Sequence, residues 1–121
     1  MQSDEAVWNK LRARHPRILG EVRIDCGAGW RDLLDALCTD LQRETDEHGA
    51  PQVQARQIKE KLGQLRFYAF RLSETQSNLI AAAVEASGQL CEQCGQPADT
   101  LQPVPGRMQT LCRAHLIHQD R

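Results

Sequence analysis

The residues best suited to chemistry form two pairs with the same spacing, Cys91-Glu92-Gln93-Cys94 and Cys112-Arg113-Ala114-His115. Seventeen residues separate the pairs. Thiolate and imidazole suit zinc, and four such donors close a tetrahedron with no position left for water or substrate. The predicted ligand set is therefore Cys91, Cys94, Cys112 and His115. His118, one helical turn further on, is the alternative fourth ligand; the short C-x2-H spacing favours His115. Gly95 follows the first pair, where a backbone wrapping a metal needs an unhindered residue. Pro97, Pro103, Pro105 and Gly106 make the intervening stretch a loop or short hairpin rather than a helix. The competing use of five cysteines is disulfide bonding. The polar, acidic start from Met1 to Glu5 does not resemble a signal peptide, and the odd cysteine count leaves Cys26 and Cys38 isolated. Both point to a reducing cytoplasm and to metal ligation.

Zinc of this kind is structural. A hydrolytic centre needs three protein ligands, an open position and a nearby base, and a deaminase needs His-x-Glu ahead of its cysteine pair. Neither pattern precedes Cys91, and there is no phosphate-binding Gly-rich loop or Gly-x-Ser-x-Gly elbow. His15 and His48 fall at predicted element ends, where solvated histidines are common. Glu60, between two lysines, reads as a surface salt-bridge partner. The expectation is a protein with no catalytic residues.

The elements that must position the ligands can be read from periodicity. Val7, Trp8 and Leu11 give a helix over 4–14, capped by Ser3 and ended by His15-Pro16. Val22 and Ile24 alternate with charged residues, predicting a brief strand within 19–24, and Cys26-Gly27-Ala28-Gly29 turns the chain. Trp30, Leu33, Leu34, Leu37, Cys38 and Leu41 define a helix over 29–47 with one wide apolar face. On that face Cys38 is a small buried hydrophobe rather than a nucleophile. The opposite face carries six acidic residues (Asp32, Asp35, Asp40, Glu44, Asp46, Glu47) against Arg31 and Arg43. Residues 52–71 read as a hairpin turning near Gly63, with a helix over 52–62 as the alternative. Phe67 and Phe70 lie on opposite sides of that strand, so one of them is core. Ser73 and Gln76 form a capping box opening a helix over 74–87, which Gly88 ends. Met108 to Leu111 is a short strand leading into Cys112, followed by a short helix with the last ligand.

The bulk numbers exclude little. A chain of 121 residues with net charge −1 and 26% charged residues is one domain, or a small domain plus a metal module. No apolar run is long enough to span a bilayer. The charge is unevenly placed: Arg56, Lys59, Lys61, Arg66 and Arg71 face a single Glu60 within the hairpin.

One combination resembles a family of small uncharacterised bacterial and phage zinc-binding proteins. It comprises Gly29-Trp30-x-x-Leu33-Leu34, the run Gln57-Ile58-Lys59-Glu60-Lys61-Leu62-Gly63-Gln64-Leu65-Arg66-Phe67-Tyr68, Cys91-x2-Cys94-Gly95 and Thr110-Leu111-Cys112-x2-His115. The resemblance runs from Cys26 to the end. The chain departs from the pattern at Leu62, where Phe is expected, at Gln64, where Gly is expected, and just before Thr110, where a Trp is missing. The resemblance implies a zinc-stapled bacterial or phage domain and carries no catalytic activity.

The expected architecture is α+β: a helical and β-hairpin domain over 1–88, then a treble-clef-like zinc module over 89–121. The expected function is non-enzymatic binding of a protein partner, as an immunity protein, inhibitor or adaptor, in the cytoplasm. The candidate partner surface is Arg56, Lys59, Lys61, Arg66 and Tyr68. The alternative is a small nucleic-acid-binding zinc protein using the same basic hairpin, with Arg107 and Arg113 at its edge. Oligomeric state is not legible.

Overall fold

The structure is a computed structural model that describes residues 4–98, 100–104 and 107–116. The fold is α+β. Helix α1 (Asp4–Arg14) buries Trp8 and Leu11 and ends at His15. A further turn, α2 (Pro16–Leu19), follows, with Pro16 at its first position, where a missing N–H costs nothing and φ is already helical. This corrects the strand expected within 19–24. Leu19 belongs to α2, Val22 N–H bonds back to the Leu19 carbonyl, and only β1 (Ile24–Asp25) is extended. A six-residue alternation is too short to outweigh a proline-started turn.

A 3-10 turn (Ala28–Trp30) leads into α3 (Arg31–His48), ended by Gly49 in the left-handed conformation. The chain returns as β2 (Gln54–Lys61), which pairs parallel to β1, with α3 as the crossover a parallel pair requires. Strand β3 (Gln64–Phe70) pairs antiparallel to β2, giving the order β1-β2-β3. Leu62 (φ 55) and Gly63 (φ 80) form the two-residue connection, both at positive φ as the twist of a tight hairpin demands. The helical alternative for 52–62 is thereby excluded.

Helix α4 (Glu74–Ser87) starts on the expected capping box: Gln76 N–H donates to Ser73 Oγ, and Ser73 N–H donates to Gln76 Oε1. The Gln76 amide is buried and also donates to the Pro51 carbonyl at 3.0 Å and to Thr45 Oγ1 at 3.2 Å, joining α4 to the end of α3. At the other end of α4, Ser87 Oγ accepts from Leu65 N–H at 2.8 Å, closing the free edge of β3. One core unites these elements, with Trp8, Trp30, Leu34, Leu41, Ile58, Leu65 and Phe67 buried together. Strands β4 (Thr100–Val104) and β5 (Arg107–Leu111) form a second, antiparallel sheet, followed by α5 (Arg113–Leu116). No helix among the described residues is long and apolar enough to cross a membrane.

Candidate metal centre and charged sheet face

Cys91 and Cys94 sit in a tight turn after α4. Gly95 N–H bonds back to the Cys91 carbonyl at 2.8 Å, and Cys91 N–H donates to the Gln96 carbonyl. Cys112 lies at the end of β5, and His115 follows one turn later on α5, its N–H donating to the Cys112 carbonyl at 3.0 Å. The four side chains converge, with one ligand atom from each lying within 4.8 Å of all the others. Cys112 Sγ is 3.1 Å from His115 Nδ1, Cys91 Sγ is 3.5 Å from the same nitrogen, and the Cys94 and Cys112 sulfurs are 3.6 Å apart. Such a Cys3His group can hold a metal ion. The expected set of Cys91, Cys94, Cys112 and His115 is therefore brought together, and His118 lies outside the described residues.

The thiols are held unequally. The hydrogen bond with His115 draws the Cys112 thiol down to about 6, with burial opposing it. Cys94 stands above its ordinary value: a backbone hydrogen bond from Gln96 lowers it, but burial and the Cys112 and Cys91 thiols outweigh that pull. Cys38 is a different case. It is fully buried on α3, and burial raises its thiol to about 12, so it is packing material as expected.

Three connections the sequence did not disclose tie this centre to the main core. Glu92, between the first two ligands, is buried; its carboxylate accepts from Gly27 N–H at 2.7 Å and its carbonyl from Gly29 N–H at 2.7 Å. A Cβ on Gly29 would run into the Cys91 and Glu92 carbonyl oxygens, so close backbone approach explains the Gly-Ala-Gly stretch better than a turn does. Trp30 Nε1 donates to the Leu90 carbonyl at 3.1 Å. Thr110 Oγ1, on β5, donates to the Gly63 carbonyl at the hairpin tip over 2.9 Å. The paired glycines were the only signal in the sequence; nothing local marks Glu92 or Thr110 as a contact.

The candidate partner residues also come together. Ile58, Leu65 and Phe67 face the core, which turns Gln57, Lys59, Lys61, Gln64, Arg66 and Tyr68 to the opposite face of the sheet. A register shift between Ala55 and Gln57 marks a bulge at Arg56. The bulge sets the Arg56 guanidinium over the Phe70 ring, 5.0 Å from its centroid. Phe67 is core and Phe70 is exposed, with 67% of its surface open; Tyr68 is 47% open. Arg113 is exposed on α5, and of Arg107 only the backbone is described. Glu60 corrects an expectation: it points inward, is buried, and accepts from Gly63 N–H at 3.0 Å, bracing the turn.

His15 is likewise not a solvated end. It is half-buried and pairs with Asp35 of α3 at 2.6 Å, alongside Arg14 at 3.0 Å. The His15 and Arg14 hydrogen bonds hold the Asp35 carboxyl below its usual value. Other carboxylates of the acidic face are also engaged, Asp32 by Arg31, Asp40 by Arg43 and Asp46 by Gln42. By contrast, among the described residues no carboxylate pairs with Arg56, Lys59, Lys61, Arg66 or Arg71. No family model matches the chain, and neither a curated protein nor a solved structure does.

Proposed function

We propose that the protein is a non-enzymatic interaction module of bacterial or phage type, stapled by a structural zinc ion, that docks an anionic partner on the open face of β2 and β3. Zinc fits the donor set. Tetrahedral zinc, with Zn–S of about 2.3 Å and Zn–N of about 2.0–2.1 Å, separates its ligand atoms by about 3.6–3.8 Å. Contacts of 3.1, 3.5 and 3.6 Å among these ligands need only small adjustments to reach that geometry. Three thiolates and an imidazole complete the shell, which is the composition of structural rather than catalytic sites. The ligand order, a Cys-x2-Cys turn, a hairpin and a short helix, is treble-clef-like.

The observation that carries the docking reading is the contrast between the two charged faces. Most carboxylates of α3 already have partners within the chain, whereas among the described residues the cations of the sheet face have no carboxylate partner and stand beside two exposed aromatic rings. The face is also firmly placed, because its tip is hydrogen-bonded to β5 and so to the metal centre. Capture of partners by the tagged protein from cells of its source, compared with the Lys59→Glu/Lys61→Glu/Arg66→Glu variant, tests this. The charge-reversed protein, folded and metal-loaded, is expected to lose the partner; undiminished capture would refute the assignment of this face.

A further inference from the structure

We infer that the anionic partner of this face is a single-stranded nucleic acid, gripped by stacking on Tyr68 and Phe70 and by phosphate contacts from the flanking cations. This rests on the docking reading above and narrows it to one class of ligand. A purely electrostatic surface needs only charge; exposed rings beside the cations add faces on which bases can stack. Here two adjacent rings and a pair of cations lie along one continuous face. Arg66, Tyr68 and Phe70 occupy successive outward positions of β3, with Lys59 opposite Arg66, Gln57 opposite Tyr68 and Gln54 opposite Phe70. Outward neighbours on a strand are roughly 6.8 Å apart, a spacing at which consecutive bases splayed from an extended strand can each meet a ring.

The end of this face carries a second feature. A concavity of about 370 Å³ is lined by Pro51, Gln52, Gln54, Arg56, Phe70 and Arg71. It offers a ring edge, two guanidinium groups and the exposed Gln54 amide in one place, which are the groups that stack, neutralise phosphate and read a base edge. Arg71 is held there at φ 59, an unusual conformation for a non-glycine residue. Duplex would be a poor fit, because its bases are already stacked and unavailable to the rings.

Fluorescence anisotropy with a labelled single-stranded oligouridylate, the matching duplex and polyglutamate separates the outcomes, using full-length zinc-loaded protein. Single strand is expected to bind more tightly than duplex or polyglutamate, with affinity falling steeply as salt rises. Tyr68→Ala and Phe70→Ala are each expected to weaken single-strand binding about 5- to 150-fold, the range for loss of one base stack. Both side chains are exposed, so zinc content and the melting transition should be unchanged, and Tyr68→Phe should restore binding. Equal binding of all three polyanions, or indifference to both aromatic substitutions, would overturn the nucleic-acid assignment and leave a cationic docking face. Absence of binding to every polyanion would also overturn it. A nuclease-resistant protein partner lost on charge reversal would overturn it while sustaining the docking reading.

Discussion

Thr110 donates its hydroxyl to the carbonyl of Gly63 across 2.9 Å, although 47 residues separate them in the chain. Thr110 precedes Cys112 on β5 by two positions, and Gly63 is the tip of the β2–β3 hairpin. The Cys3His cluster that follows β5 and the β2–β3 hairpin are therefore joined by one buried hydrogen bond.

Thr110→Val keeps the shape but leaves the Gly63 carbonyl without that donor. The loss is expected to cost about 1–3 kcal/mol. Chemical denaturation should report it, and hydrogen exchange should quicken at the hairpin tip while zinc content stays the same. An unchanged midpoint with unchanged exchange would show that the contact contributes nothing.

Two glycines separate close approach from helix capping. Gly29→Ala places a methyl against the carbonyls of Cys91 and Glu92, so the ligand turn must move away from α3. Metal affinity and stability should fall together, the latter by about 2 kcal/mol or more, as for an overpacked site. Gly88 lies at φ −69 after α4, and a Cβ there meets nothing closer than 3.5 Å. Gly88→Ala is expected to be neutral or to stabilise by about 0.4–1 kcal/mol through the unfolded state. Equal effects of the two substitutions, read by thermal melting, would contradict the docked-turn geometry.

Asp35 gives a pH dependence of definite sign. Its carboxyl lies below the usual 3.8 in the folded protein, so the unfolded chain takes up protons first as acid is added. Its contribution is present above pH 3.8 and is lost as pH falls through the depressed native value. Asp35→Asn should be less stable than the parent at neutral pH, and the gap should close in acid. A gap that widens on acidification would reverse the assigned sign. The effect is expected to be modest, because Arg14 in this cluster is largely exposed.

Strand β3 and α4 were legible because their signals are local. Alternation of strand formers from Leu65 to Phe70 marks β3, and Ser73 with Gln76 marks the start of α4; the Gln, Lys and Glu of β2 suit a helix as well, so the sequence alone leaves 52–62 open. Gln76 also shows where legibility stops. Its spacing from Ser73 marks a cap, but nothing in the sequence places its amide on Pro51 and Thr45. Glu60 reads as a surface residue from its lysine neighbours, yet it is buried. In a strand, adjacent residues face opposite sides, so two outward lysines turn the residue between them inward. The Cys3His cluster could be read from spacing, because two tight pairs with these donor types are suited to converge on one metal-sized site. The role of Glu92 could not, since a carboxylate between two thiol ligands has no pattern that distinguishes a buried clamp from a solvated loop residue.

Zinc content and thermal stability, measured together on the parent protein and on Cys94→Ser, address the stapling role most directly. A structural site of this type binds in step with folding, so removing one thiolate should release the metal and lower the melting temperature sharply. Chelation of the parent should do the same, and zinc alone should reverse it. Retention of zinc by Cys94→Ser at an unchanged melting temperature, or a chelated parent that melts like the untreated protein, would contradict the zinc staple.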